Sequence, residues 1–200
     1  DLVNRQDEDR YLFGGADSLN KPLNDTGTLD AAMSSAITNW KNEASASNIT
    51  TSQLIADLTD RVSTAGNPDS INDSIVGYNS TLTSGNSGNV FVRINETSEV
   101  DYTSLATNQG MRDVLVAVSY FKNENLTPAG NVYAEPYNFG DPPIQDGAPG
   151  DTVQEQKDNF FEVFNALTKM VSDSLGEIDK DIRKLETARI RLDEAKRRNK

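Results

Sequence analysis

The sequence predicts an α+β fold: an antiparallel helical rod carrying a small mixed α/β outer domain. Three observations lead there. First, Phe164, Leu167, Val171, Leu175, Ile178, Ile182, Leu185 and Leu192 recur at steps of three or four, with Arg189 in the one gap. Their average step is that of a heptad seam, about 3.5 residues. Second, Val90, Val92 and Ile94 fall at alternate positions, on one face of a strand. After Asn95-Glu96-Thr97-Ser98 the pattern resumes with Val100 and Tyr102, which reads as a β-hairpin. Third, residues 123–150 hold five of the seven prolines and four glycines, the mark of an irregular loop between body and terminal helix. The chain then divides into a rod of residues 1–15 plus 151–200 and an outer, globular domain of residues 16–150.

Taken in order, residues 1–10 read as the end of a helix anchored by Leu2 and Val3. Arg10, Tyr11, Leu12 and Phe13 form an apolar burst that suits a short strand packed on the core. Gly14 and Gly15 suit a turn with positive φ, which glycine adopts without steric cost. Residues 28–40 place Leu29, Met33, Ile37 and Trp40 on one helical face, so Trp40 reads as core. Thr50 and Gln53 have the spacing of a capping box, opening a helix that buries Leu54, Ile55, Leu58 and Val62. Ile71, Ile75, Tyr78 and Leu82 are helically spaced, although 78–83 equally suits a strand. Residues 108–121 form an amphipathic helix with Met111, Leu115, Val118 and Phe121 inside. The final helix, from about residue 152 onward, is still helix-forming at its last residue. Its natural course is expected to continue, as is the chain before Asp1, which lacks an initiator Met.

Composition narrows the chemistry. The chain has no Cys and no His. Disulfides, thiolate zinc sites, Cys nucleophiles and Ser-His-Asp triads are excluded, and the usual base near neutral pH is missing. No EF-hand spacing, phosphate-cradling glycine loop or distinctive carboxylate pair occurs, so no catalytic, cofactor-binding or metal residue is assigned. The chain reads as a non-enzyme. A net charge of −12 argues against nucleic acid and anionic membrane surfaces as partners. The charge is uneven: residues 179–200 carry a net of +4, which leaves −16 for the remainder. Cations near the end of a helix suit its dipole, and a basic rod with an acidic body would also suit head-to-tail stacking. Six Asn-x-Ser/Thr triplets occur, at Asn24, Asn48, Asn72, Asn79, Asn95 and Asn125, and in a chain rich in these residues chance explains most of them. No apolar run is long enough to span a membrane, and no signal peptide opens the chain.

Arg10-Tyr11-Leu12-Phe13-Gly14-Gly15, following Asn4-Arg5-Gln6-Asp7-Glu8-Asp9, resembles the segment at which flagellin-like proteins leave the rod for the outer domain. Val92-Arg93-Ile94-Asn95-Glu96-Thr97 with Val100-Asp101-Tyr102 is similar to that family's strand pair. Leu192-Asp193-Glu194-Ala195-Lys196 is similar to its C-terminal rod helix. The three occur in family order, and the likeness is closest to the hook-associated branch at the hook–filament junction. The resemblance implies a structural subunit of the bacterial flagellum, extracellular and exported without a cleaved signal peptide. Its partners would be neighbouring axial subunits, flagellin and other hook-associated proteins, and an export chaperone engaging a helix beyond the present C-terminal end. A rod seam of Leu175, Ile178, Ile182, Leu185 and Leu192 would carry assembly, and Arg10 to Gly15 would join rod to outer domain. Filament flagellin and a glycan-binding surface domain are the alternatives. Alone, the fragment is expected to be monomeric.

Overall fold

The computed structural model describes residues 3–24, 27–41, 46–95, 98–124 and 153–198, with the backbone alone at 92, 94, 95, 98 and 153–157. Among the described residues six helices dominate: α1 (Gly27–Lys41), α2 (Thr51–Thr59), α3 (Asp73–Val76), α4 (Ser80–Thr83), α5 (Gln109–Asn123) and α6 (Val153–Arg198). Two small antiparallel pairs accompany them, β1 (Gln6–Asp7) with β2 (Arg10–Tyr11) and β3 (Phe91–Asn95) with β4 (Ser98–Asp101). The coarse expectation of helices plus a small sheet therefore holds.

The N-terminal part departs from the expectation. Residues 3–10 are not helical, so they form no antiparallel rod with α6. They turn back at Glu8, whose φ is +52°, and pair Gln6 with Tyr11 and Asp7 with Arg10. The physical reason is a competing set of bonds. The Asn4 side chain donates to Leu23 O at 2.9 Å and accepts from Leu23 N at 3.0 Å. Leu12 N donates to Arg5 O at 3.0 Å. Val3 is buried in the main core rather than along a rod.

Helix α1 forms on the expected face. Leu29, Met33, Ile37 and Trp40 are buried, and the Trp40 indole donates to Thr51 Oγ1 at 3.1 Å. Helix α2 begins on half of the expected capping box. Thr50 Oγ1 accepts from Gln53 N at 3.1 Å, but the Gln53 amide turns away to Asp57 and Asn67. The helix stops at Thr59, which leaves Val62 69% exposed instead of on its buried face. Residues 71–83 become two one-turn helices, each started by an asparagine whose side chain caps the new N-terminus, Asn72 for α3 and Asn79 for α4. Those amides are thereby committed within the fold, as is the Asn48 side chain, which donates to Asn39 O.

The expected hairpin is present, in the register Phe91 with Asp101, Val92 with Val100, Arg93 with Glu99 and Asn95 with Ser98. Its turn residues 96 and 97 lie outside the described residues, as does most of the expected loop 123–150. Helix α5 is present but rotated from its expected face. Its buried residues are Gly110, Arg112, Asp113, Val116, Ala117, Ser119 and Tyr120, whereas Val118 is 60% exposed and Met111, Leu115 and Phe121 are half-buried.

One core joins these elements. Leu29, Met33, Trp40, Leu54, Leu58, Val116 and Tyr120 from residues 27–124 meet Phe160, Val163, Leu167 and Met170 from α6. Burying each such side chain contributes about 1.5–3 kcal/mol before ordering costs. The N-terminal half of α6 thus belongs to the body's core, contrary to a rod kept apart from residues 16–150. Helices α5 and α6 approach closely at Gly110, where an added Cβ would stand 2.8 Å from Ser174 O.

Candidate assembly surface

Past this close approach α6 leaves the body. At about 1.5 Å per residue its 46 residues span roughly 69 Å. Its buried positions through the body are Phe160, Val163, Leu167, Met170 and Ser174, each three or four residues after the last. The predicted seam lies beside this face and shares Leu167 with it. Of the five assembly positions, Leu175 is 62% exposed, Ile182 48% and Leu185 37%, whereas Ile178 and Leu192 are half-buried. The described structure thus leaves most of this apolar row in solvent.

The other side of the same stretch is held by the hairpin. Lys184 Nζ donates to Asp101 Oδ2 at 3.2 Å and to Thr103 O at 3.4 Å. Asp101 is held below its ordinary pKa, first by the Thr103 hydroxyl and backbone N–H and then by Lys184. Phe91, Val100, Asp101, Lys184, Ala188 and Arg191 line an open groove between hairpin and helix. Ala188 is buried there, and its small side chain lets β4 approach. Asn108 Nδ2 adds a bond to Asp181 Oδ2 at 2.5 Å. The free half of α6 is braced along one flank while its apolar row stays open.

The segment Arg10, Tyr11, Leu12, Phe13, Gly14 and Gly15 lies elsewhere and does not meet the row. It is not a strand packed on the core. Only Arg10 and Tyr11 are strand, Leu12 is 47% exposed, and Phe13 alone packs partly against the core. The backbone carries the fixing bonds: Tyr11 N to Ser18 O at 2.7 Å, Ala16 N to Ser87 O at 2.8 Å and Ala106 N to Phe13 O at 2.9 Å. Of the two glycines expected to have positive φ, Gly15 does, at +62°, and Gly14 does not; a Cβ at Gly15 would lie 2.7 Å from Leu105 Cδ2. The segment ties the N-terminal turn to the connections on both sides of the hairpin. Among the described residues no helix leads into it, so the expected join of rod to body is not seen there.

Two buried polar groups escaped sequence reasoning. Arg112 is fully buried and donates to Leu58 O at 2.8 Å, Asp60 O at 3.1 Å, Ile71 O at 2.6 Å and Asp113 Oδ1 at 3.1 Å. Lys41 and Glu124 form a second buried ion pair, linking the end of α1 to the end of α5. An arginine within an amphipathic helix reads as surface from sequence, and only the adjacent Asp113 hints otherwise. Within α2, burial raises the pKa of Asp57, with Asp69 and Asp60 adding repulsion against the Gln53 hydrogen bond.

Among the described residues, no three or more acidic side chains come together to hold a metal, and no helix is long and apolar enough to cross a membrane. No family model, curated protein or solved structure matches this chain.

Proposed function

We propose that the chain is a structural subunit of the bacterial flagellum, a hook–filament junction protein that assembles through α6. The observation that carries this reading is the open apolar row of Leu175, Ile182 and Leu185, extended by half-buried Ile178 and Leu192, on a helix that has left its own core. Such a row in solvent costs free energy that a packed neighbour recovers, about 1.5–3 kcal/mol per fully covered side chain. The resemblance at residues 10–15, 92–102 and 192–196 supplies the flagellar assignment, with flagellin, hook-associated proteins and an export chaperone as the partners. The subunit transmits torque mechanically, needs no cofactor, and acts outside the cell. Changing Ile182 or Leu185 to Asp in the full-length protein should abolish incorporation into flagella while export continues. Normal motility in either mutant would refute the role.

Filament flagellin is the second reading, because the motifs at residues 10–15 and 192–196 resemble both branches. Copy number separates them: on the order of ten per flagellum for a junction ring, and far more for a filament. For the glycan-binding alternative, Trp40 supplies no platform, since it has no exposed surface to offer a sugar.

A further inference from the structure

The flanks of the open row carry an asymmetric charge pattern. One position after Ile178, Leu185 and Leu192 stand Asp179, Glu186 and Asp193, all acidic, all exposed and seven residues apart. At seven-residue steps on the other flank stand Ser174, Asp181, Ala188 and Ala195, of which Ser174 and Ala188 are buried and the other two half-buried. The body and hairpin occupy that second flank, so an incoming helix must approach along the acidic one. Arg189 takes the place of an apolar residue within the row itself. In coiled helices the residues flanking the apolar seam set partner choice by charge, and a polar residue within the seam sets register.

We infer that the row docks an amphipathic helix whose own apolar stripe is flanked by Lys or Arg, with an acidic residue opposite Arg189. This rests on the reading of the row as an assembly surface and names the chemistry of its partner. Residues 179–200 are net +4 as a whole, but the positions directly beside the row on its open side are acidic and face the partner's cations, while the chain at −12 attracts a basic segment from a distance. Asp179 already bonds Arg183 at 2.9 Å, but both side chains are largely exposed and such pairs are weak. A second copy of this chain fits poorly. In a parallel self-pair Arg189 would meet Arg189, and in an antiparallel one the two acidic flanks would face each other. Like charges at such positions discriminate against the wrong partner.

Three synthetic helices test this, each roughly four heptads long, with Leu along the seam and Lys, Gln or Glu at all flanking positions. Their binding to the chain is followed by fluorescence anisotropy at low salt and at 0.15 M. The Lys-flanked helix should bind at least about tenfold tighter than the Glu-flanked one, given three flanking pairs changed from attraction to repulsion. The gap should shrink as salt is added. The double substitution E186K/D193K, at exposed positions, should reverse the order with an unchanged circular dichroism spectrum. Ile182→Ser with Leu185→Ser should lose all three helices. Equal binding of the Lys and Glu helices, a preference for Glu, or an order that survives E186K/D193K would overturn the inference. So would a tight self-dimer in sedimentation velocity. If the Lys helix is selected yet Ile182→Asp subunits still enter flagella, the flagellar reading fails and the partner chemistry stands. If Ile182→Asp blocks assembly and no helix is preferred, the partner chemistry fails alone.

Discussion

Residues 160–174 and 175–198 belong to one uninterrupted helix, yet they live in different surroundings. The first half sends Phe160, Val163, Leu167 and Met170 into a core shared with α1, α2 and α5. The second half keeps the same rhythm of apolar residues, and there the start of α5 and one side of the hairpin bond to its flank. Helical rhythm therefore states that a face wants cover; it does not state who supplies it. In the first half the covering elements precede it in the same chain. In the second half the described residues leave Leu175, Ile182 and Leu185 uncovered.

Substitutions can break or sharpen this contrast. The largest loss is expected from Arg112→Met, deep in the body. It would leave the carbonyls of Leu58, Asp60 and Ile71 without their guanidinium and Asp113 without its cation. Removing one partner from a buried pair of this kind costs about 3–5 kcal/mol, measured as the change in urea midpoint at constant slope. A loss below about 1 kcal/mol, no more than one ordinary hydrogen bond, would mean that the body is not pinned there.

The direct comparison uses two leucines on one helix. Leu167→Ala should cost about 2–5 kcal/mol by emptying a core site. Leu175→Ala, at 62% exposure, should stay within about 0.5 kcal/mol. Equal effects in the isolated chain would erase the distinction between the halves. Between them lies Gly110, where the backbone of α5 touches that of α6. Gly110→Val must push against Ser174 O, a backbone atom that cannot rotate away, and against Ile178 Cγ1 at 3.1 Å. Overpacking of this sort costs about 1–3 kcal/mol. Amide hydrogen exchange should show faster opening at the α5–α6 contact, with β3 and β4 unchanged.

The smallest effect is a slope with pH. Burial keeps the Asp57 proton bound in the folded chain at pH values where the unfolded chain has released it. Stability should therefore fall as pH rises from the ordinary carboxylate range through the raised pKa of Asp57. Asp57→Asn should flatten that part of the profile. Asp101 and Asp30 act oppositely: their pKa values are lowered, so their contribution is present at neutral pH and lost as pH falls through those lowered values. A profile unchanged by Asp57→Asn would show that Asp57 does not titrate differently on folding.

Periodicity made α1, α6 and the hairpin legible, because each follows one period over enough residues to exclude the other. It failed where tertiary bonds outweighed local pattern. Residues 3–10 look helical by charge and composition, but Asn4 bonding to Leu23 and the turn at Glu8 hold them in a strand pair. The α5 face was misread because its inner positions include Arg112 and Asp113, which a pattern of apolar residues assigns to solvent. Residues 71–83 suited both helix and strand. Capping by Asn72 and Asn79 divides them into two short helices, and only Asn72, Asn79 and Gly77 hint at that break. The row Leu175, Ile178, Ile182, Leu185 and Leu192 was readable as a stripe. That Leu167 would be core while Leu175, Ile182 and Leu185 stay bare depended on where α5 and the hairpin come to lie.

The burial of Trp40 has an optical consequence. It is the chain's one tryptophan, seated at the junction of α1 and α2 with its indole N–H bonded to Thr51. Its emission should be blue-shifted in the native protein and move to the red when the body opens. It has no contact with the bare end of α6, so fraying beyond Leu175 should leave the emission colour constant while far-ultraviolet circular dichroism at 222 nm declines. A single heating scan recorded with both signals should then separate into two curves, the dichroism falling first and the fluorescence later.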